Sequence, residues 1–449
     1  MKEKIKNIIN RIKKNEFWSS LFKNSFIAVI GEGGASFINL FVVIFLIKLI
    51  GSEGYGILIL AQTYMTIVDT IINLQCWRGV IKYGEEAKIK KNIEELYGYI
   101  KLGSLIDLLT AVIGTVVCFL LVNLTGRLLD WNNLTIISAK IFSIVIVSHF
   151  SGTPTAILRM ENKFNLVSIQ KIVSSAVKLV ILLIIYFLQG TLSILSGVII
   201  YAITDIISNL MLIFMAVWVV HKNYGLRKVI RAKFPSKTKE FTKFTIWTSL
   251  SDVTDIPVNY FDVFIISKLG LELVSVFKVF KQIIALISKL AIPIYQAIFP
   301  QFSKLTASDK LEEAYNAVKR IQKFVVKYIM PLFIIVGLTS YYWLDIVFGS
   351  LYRDYWYVLL AYIVIHTISI SFTTIHPLFI SMGKVKEDFI YVLITNLAYF
   401  VVALVLVKYL GMFGIVISYA VQSFSIILLK KIKIEKILKE SIWYELWFI

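Results

Sequence analysis

The chain has 449 residues, of which 58% are hydrophobic and only 17% are charged. Soluble domains typically contain about 45–50% apolar and about 25% charged residues, so this composition excludes an ordinary soluble domain. The net charge of +19 at pH 7 therefore needs a membrane explanation rather than a nucleic-acid one. A transmembrane helix takes about 20 apolar residues, and the chain contains enough for roughly a dozen.

Twelve apolar runs bounded by charged or turn residues are predicted to be transmembrane helices. The predicted class is therefore an all-α integral membrane protein with about twelve spans. The runs lie at residues 24–47, 56–77, 102–124, 134–157, 166–188, 192–220, 244–267, 271–299, 323–344, 355–380, 389–407 and 411–429.

The basic residues predict the orientation of these spans. When Lys171, Lys323 and Lys327, near the ends of their spans, are counted with the adjoining loops, 37 of the 47 Lys and Arg residues fall on the same side as the N-terminus, five on the opposite side and five within spans. The positive-inside rule then places both termini in the cytoplasm. The predicted segments are a cytoplasmic amphipathic stretch (1–23), an N-lobe with spans 1–6 (24–220), a basic cytoplasmic linker (221–243), a C-lobe with spans 7–12 (244–429) and a basic cytoplasmic tail (430–449).

Matching features recur in the two halves at a nearly constant offset of 217 to 221 residues. Because each half has an even number of spans, the repeats are parallel, which predicts two six-helix lobes around a central cleft. Such an architecture is typical of alternating-access transporters. The matched pairs are Gly51 with Gly270, Glu53 with Glu272, Lys163 with Lys384, Gly197 with Gly414 and Tyr201 with Tyr419.

Several turn motifs resemble the multidrug/oligosaccharidyl-lipid/polysaccharide exporter superfamily, and specifically its polysaccharide flippase branch. The resemblance covers roughly residues 20–430, and the LELVSVF run from Leu271 departs from it, since the family usually has a glycine and a tyrosine there. The motifs are KLIGSEGYG (48–56), the Pro300, Phe302 and Ser303 run, FGSLY (348–352), SMGK (381–384) and YLGMFG (409–414).

The resemblance implies a flippase that moves an undecaprenyl-pyrophosphate-linked oligosaccharide from the inner to the outer leaflet of the bacterial cytoplasmic membrane. Its product would serve surface polysaccharide synthesis, such as O-antigen or capsule. The implied partners are the lipid-linked oligosaccharide, the bilayer, a polysaccharide polymerase and a chain-length regulator. No enzymatic activity, metal or cofactor is expected, apart from a coupling H⁺ or Na⁺.

Apart from Lys171, Glu272, Lys323 and Lys327 near span ends, twelve charged residues fall within the predicted spans. An ionised side chain there costs about 2.5–3.5 kcal/mol. Ammonium groups lining a wet cleft would offset the desolvation of a diphosphate, whereas intramembrane carboxylates often relay ions. The predicted substrate residues are Lys278, Lys281, Gln282, Lys289 and Gln296, which share one stripe of the eighth span, together with Lys178. The predicted coupling or gating residues are Glu32, Asp69, Asp205, Asp255 and Asp262.

Other interpretations stay open at this point. The same charges are also explained by Asp–Lys pairs that hold the bundle together. A multidrug cation antiporter of the same superfamily would favour an acidic, aromatic cavity rather than lysines. A membrane polysaccharide polymerase or glycosyltransferase would need a large segment outside the membrane, and the predicted outer loops are short.

Overall fold

The chain is almost entirely helical in its computed structural model, which describes residues 16–289, 298, 301–306, 308 and 310–447. Side chains are described from Gly31 to Lys439, apart from Val385. Regular structure in these residues is helical throughout. This agrees with the all-α class predicted from the sequence.

The helices are numbered here in chain order. The first nine are α1 (Glu16–Ile72), α2 (Trp77–Ile89), α3 (Ile93–Leu128), α4 (Asn133–Val145), α5 (Gly152–Met160), α6 (Phe164–Gln189), α7 (Ile194–Asn223), α8 (Leu226–Arg231) and α9 (Thr238–Val253). The others are α10 (Ile256–Ser267), α11 (Leu271–Lys289), α12 (Leu311–Phe324), α13 (Met330–Leu338), α14 (Ser340–Phe348), α15 (Ser350–Arg353), α16 (Trp356–Ser371), α17 (Ile375–Ser381), α18 (Val385–Leu410) and α19 (Met412–Trp447).

Helix α1 joins the first two predicted spans. Its 57 residues are interrupted by a non-helical conformation at Gly51 (φ 77°, ψ 169°). A straight helix of that length would measure about 85 Å at 1.5 Å per residue, whereas the hydrocarbon core is about 30 Å thick. The positive φ of Gly51, which glycine adopts without steric cost, divides α1 into two segments of membrane-spanning length.

Eight of the described helices are long and apolar enough to cross a membrane, or nine if the bent pair Asn133–Ser148 and Gly152–Met160 counts as one span. They account for every predicted span except the seventh and eighth. Helix α11, in the eighth, carries Glu272 and three lysines. Helix length and composition therefore do not confirm twelve transmembrane spans, and that number stays a prediction.

The predicted seventh span is not a single helix. It divides into α9 and α10, with a turn at Thr254 and Asp255. Pro257 lies in the first turn of α10, where its missing N–H is tolerated, and proline disfavours helix in the residue before it. The turn therefore separates Asp252, at the end of α9, from Asp255.

The chain forms two compact units. The first unit comprises Met1–Gly51 and Leu60–Val253, and the second comprises Ser52–Ile59 and Thr254–Ile449. The boundary coincides with the break between α9 and α10, so residues 244–253 of the predicted C-lobe group with the first unit.

Each unit has its own aromatic core. In the first unit, Tyr99 stacks on Phe241 with ring centroids 5.6 Å apart, and Tyr83 packs beside both. In the second unit, Phe379 lies in a buried cluster with Phe302 and Ile434 among others. These cores pack helices of the same unit against one another.

Turns at equivalent positions support the internal repeat. Positive φ angles recur at an offset of 219 to 221 residues, and in each pair the turn precedes or follows a helix. Helices α6 and α18, which follow one such pair, both have 26 residues. The pairs are Gly51 with Gly270, Asp130 with Gly349, Asn162 with Gly383, and Gly190 with Gly411.

Candidate functional site

Helix α11 carries the lysines that the sequence predicted as a substrate stripe. Lys281 forms an ion pair with Asp262 of α10 at 2.5 Å between Nζ and Oδ2. The same ammonium donates a hydrogen bond to the carbonyl oxygen of Asn259 at 2.8 Å. The pair joins α10 to α11, because each helix contributes one partner. It is also well shielded, since only 2% of the Asp262 side chain is exposed.

Lys278 lies one turn before Lys281 on the same helix. It is half-buried and makes no hydrogen bond or ion pair with any residue that the structure describes. Like charges at this helical spacing repel one another, and the single carboxylate of Asp262 balances only one of the two. Among the described residues, this part of α11 therefore carries an excess positive charge.

Two of the other predicted substrate residues lie on α11, and one falls outside the described residues. Gln282 and Lys289 are half-buried on α11. Gln296 lies outside the described residues. Beside Lys289, the hydroxyl of Ser288 is hydrogen-bonded to His366 Nε2 at 2.7 Å, which ties the end of α11 to α16.

A cavity of about 460 Å³, lined by both polar and apolar side chains, lies within the second unit. Asp255, at the break before α10, lines it, and the Asn396 amide donates to Asp255 Oδ1 at 3.4 Å and to the carbonyl oxygen of Thr254 at 3.1 Å. Gln422 donates to Asn396 at 3.1 Å. Asp262 does not line this cavity, so the break in the seventh span gives the two predicted coupling carboxylates different surroundings.

Sequence reasoning missed a trio of ionisable side chains beside this cavity. Lys430 Nζ lies 2.5 Å from Asp388 Oδ1 and 2.8 Å from His376 Nδ1, and His376 lies 3.3 Å from Asp388. Lys430 and His376 line the cavity. The three residues come from three helices, and Lys430 was assigned to a cytoplasmic tail, so no spacing in the sequence connects them.

In the first unit, Lys178 and Asp205 form an ion pair at 2.6 Å between α6 and α7. The Lys178 ammonium lies 4.2 Å from the centroid of the Tyr201 ring, which adds a cation–π contact. The predicted substrate lysine and the predicted coupling carboxylate therefore neutralise each other. Their predicted separate roles stay predictions.

The other two predicted coupling carboxylates also have basic partners. Asp69 lies 2.7 Å from His149 Nδ1 and accepts a hydrogen bond from the Asn73 amide at 3.2 Å. Glu32 forms an ion pair with Lys171 at 2.7 Å. His149 thus links α1 to the break between α4 and α5, a role that no spacing in the sequence indicated.

A family model described as polysaccharide biosynthesis protein matches residues 21–306, which is more than half of the chain. The chain belongs to this family. The inner membrane protein YghQ of Escherichia coli (strain K12) is 25% identical to it over 117 residues, which make up 26% of this chain and 33% of YghQ. The match thus spans about a third of that relative's length.

Solved structures show that this family member has a transporter fold. It is similar to an inward-facing multidrug resistance MATE family transporter of the MOP superfamily (TM-score 0.72, 18% identity, 90% of this chain and 96% of the other). It is also similar to the lipid II flippase MurJ in an inward closed conformation (TM-score 0.68, 16% identity, 91% and 87%). A MATE multidrug transporter, DinF-BH, matches with a TM-score of 0.64 at 17% identity over 93% of this chain and 95% of the other. At these identities the likeness shows the fold alone.

Proposed function

We propose that this protein moves an undecaprenyl-pyrophosphate-linked oligosaccharide repeat from the inner to the outer leaflet of the bacterial cytoplasmic membrane by alternating access. Its membership of a polysaccharide biosynthesis family supports a lipid-linked sugar as cargo. Its fold, shared with MATE transporters and with MurJ, supports a transporter rather than an enzyme. In this proposal the product feeds O-antigen, capsule or a similar surface polysaccharide.

The excess positive charge on α11 carries the proposal. Lys281 is compensated by Asp262, whereas Lys278 is half-buried beside it without a partner among the described residues. Leaving a charge uncompensated in a poorly solvated place is costly. A transient anion such as a diphosphate would compensate the charge of Lys278. The free-energy cost of that charge would then be lower while the substrate is bound.

A multidrug cation antiporter is the second candidate, since MATE transporters share the fold. A cationic drug would need carboxylates that are free to attract it. The four carboxylates Glu32, Asp69, Asp205 and Asp262 each lie within 2.7 Å of a basic side chain. This pairing favours an anionic cargo over a cationic one.

Asp69 and Asp255 are our preferred candidates for coupling to H⁺ or Na⁺. Asp69 contacts a titratable histidine, and Asp255 lines the cavity of the second unit. Both units would then have one carboxylate whose occupancy changes during transport. We further propose an inner-membrane location with cytoplasmic termini, from the basic-residue bias, and association with a polymerase and a chain-length regulator.

Deletion of the gene tests the proposal. Lipid-linked oligosaccharide should accumulate in the inner leaflet while surface polysaccharide disappears, and a plasmid copy should restore both. Immunoblotting of the polysaccharide and mass spectrometry of extracted lipids would measure these changes. Unchanged surface polysaccharide in the deletion strain would exclude this function. Increased sensitivity to cationic dyes with normal polysaccharide would favour the antiporter instead.

A further inference from the structure

Two arginines from two helices meet at one indole ring in the first unit. Trp77 is the first residue of α2, and the guanidinium carbon of its neighbour Arg78 lies 4.7 Å from the ring centroid. The guanidinium carbon of Arg159, in the last turn of α5, lies 4.8 Å from the same centroid. Both distances are within the range of cation–π contacts, so the half-buried indole holds two positive charges close together.

The two guanidinium groups differ in how they are compensated. Arg78 donates two hydrogen bonds to the carboxylate of Asp252, at 2.9 and 3.0 Å, and one to the carbonyl oxygen of Thr248 at 3.1 Å. Arg159 makes no hydrogen bond or ion pair with any residue that the structure describes. The negative charge of Glu32 acts electrostatically on Arg159. Glu32, however, already forms an ion pair with Lys171.

Arg159 is therefore a permanent charge whose N–H donors have no partner among the residues that the structure describes. A guanidinium has five N–H donors in a planar fork and does not lose its proton in proteins. The side chain is half-buried, so solvation by water is incomplete. Stacking on Trp77 fixes one face of the fork and leaves its N–H edge available to a ligand.

A buried carboxylate holds the two helices in register. Asp107 of α3 accepts hydrogen bonds from the backbone N–H groups of Cys76 at 2.7 Å and Thr153 at 2.6 Å. It is fully buried, and a Cβ at Gly152 would lie 3.0 Å from its Oδ2. The starts of α2 and α5 are thus tied to one side chain. Asp107 is a positioning residue for the indole and for Arg159, which lies less than two turns beyond Thr153.

We propose that Arg159, supported by Trp77, binds the diphosphate of the lipid-linked substrate, and that Asp107 positions this site. The inference rests on the proposed function and assigns a headgroup contact to the first unit. A guanidinium fork binds two phosphate oxygens at once, which a lysine ammonium cannot do with the same geometry. The adjoining turn, residues 161–163, belongs to a segment that the basic-residue bias places at the inner leaflet.

Binding of undecaprenyl diphosphate to the purified full-length protein in detergent micelles tests the proposal. Arg159→Gln should weaken binding by about tenfold or more, and Arg159→Lys should weaken it less, because the charge is kept without the fork. Trp77→Phe should give an intermediate loss with folding intact. Lys163→Gln is the matched control, since Lys163 is an exposed basic residue of the neighbouring turn, and its affinity should stay within about twofold.

Phosphatidylglycerol, an ordinary anionic lipid, is the comparison ligand. Its binding should change little in Arg159→Gln, and an equal loss for both lipids would overturn selectivity for the diphosphate. Wild-type affinity of Arg159→Gln for undecaprenyl diphosphate would overturn the Arg159 site while leaving the flippase proposal intact. If the wild-type protein does not bind undecaprenyl diphosphate at all, the proposed function fails as well. Should Arg159→Gln not fold, the Arg159→Lys and Trp77→Phe affinities decide the question, and wild-type values for both would overturn the site.

Discussion

Each compact unit contains a shielded lysine–aspartate pair that includes a predicted substrate lysine, and these two pairs differ in what surrounds them. In the first unit, Lys178 and Asp205 are 2.6 Å apart and neutralise each other. In the second unit, Lys281 and Asp262 are 2.5 Å apart, but Lys278 lies one turn away without a partner among the described residues. The charges of the first pair cancel. Beside the second pair, the positive charge of Lys278 remains without a partner among the described residues. Uncompensated charge, rather than the number of lysines in a span, therefore distinguishes a candidate binding site from a structural contact.

Breaking either pair should give the largest effect. Lys281→Gln leaves Asp262, whose side chain is only 2% exposed, as an unpaired buried charge, which typically costs about 3–5 kcal/mol of unfolding free energy. Lys178→Gln should cost less, because the Asp205 side chain is 22% exposed and is less completely enclosed by protein than Asp262. Denaturation of the purified variants in detergent micelles measures both changes.

The double variants test whether charge compensation is the reason. Lys281→Gln/Asp262→Asn and Lys178→Gln/Asp205→Asn should each recover most of the lost stability, because neither leaves a buried charge unpaired. Lys268→Gln, at an exposed position of the second unit, is the control and should be near neutral. If the double variants stay as unstable as the single ones, the pairs act through packing and the comparison between the units loses its electrostatic basis.

The span positions follow well from the sequence because hydrophobicity is a local property. The glycines at positions 51, 270, 383 and 411 also marked real turns, since their positive φ angles recur in both halves. Pro257 lies beside the irregularity in the seventh span. The split into two helices was not foreseen, because proline alone does not specify whether a helix bends or ends.

The partners of the charged residues did not follow from the sequence. Lys178 and Asp205 are 27 residues apart, and Lys430, His376 and Asp388 come from three helices. Helical wheels place residues on one face of one helix, whereas an ion pair depends on which face meets a neighbouring helix. The wheel grouped Lys278 with Lys281 correctly, but only packing shows that one of them is neutralised.

The transport activity of Lys278→Gln tests whether the two units differ in function. It should lower transport by about tenfold, equivalent to about 1.4 kcal/mol, with membrane abundance unchanged, because no pair is broken. The neutral double variant Lys178→Gln/Asp205→Asn should transport within about twofold of wild type if that pair is only structural. Complementation of the deletion strain, scored by surface polysaccharide per unit of protein, measures both. Full activity of Lys278→Gln with loss of activity in the double variant would reverse the assignment of the two units.

A charged cluster between predicted spans should give a smaller effect on stability than the pairs within spans. Glu161 accepts hydrogen bonds from Lys88 and from the Asn223 amide, each at 2.6 Å, and from the hydroxyl of Tyr224. Burial raises the pKa of the Glu161 carboxyl, but the hydrogen bonds from Lys88, Tyr224 and Asn223 outweigh it, so the pKa lies below its usual value. The bonds therefore stabilise the ionised form.

The sign of the pH dependence follows from that lowered pKa. The stabilisation is complete above the unfolded-state pKa of about 4.3 and is lost as the pH falls through the lower folded-state value. Glu161→Gln should therefore cost about 1–2 kcal/mol near neutral pH, and its difference from wild type should shrink as the pH falls below about 4. Melting temperatures of the purified protein across pH measure this, with the exposed Glu94→Gln as control. A difference that does not change with pH would mean that Glu161 contributes through packing, and that charge compensation governs only the pairs inside the spans.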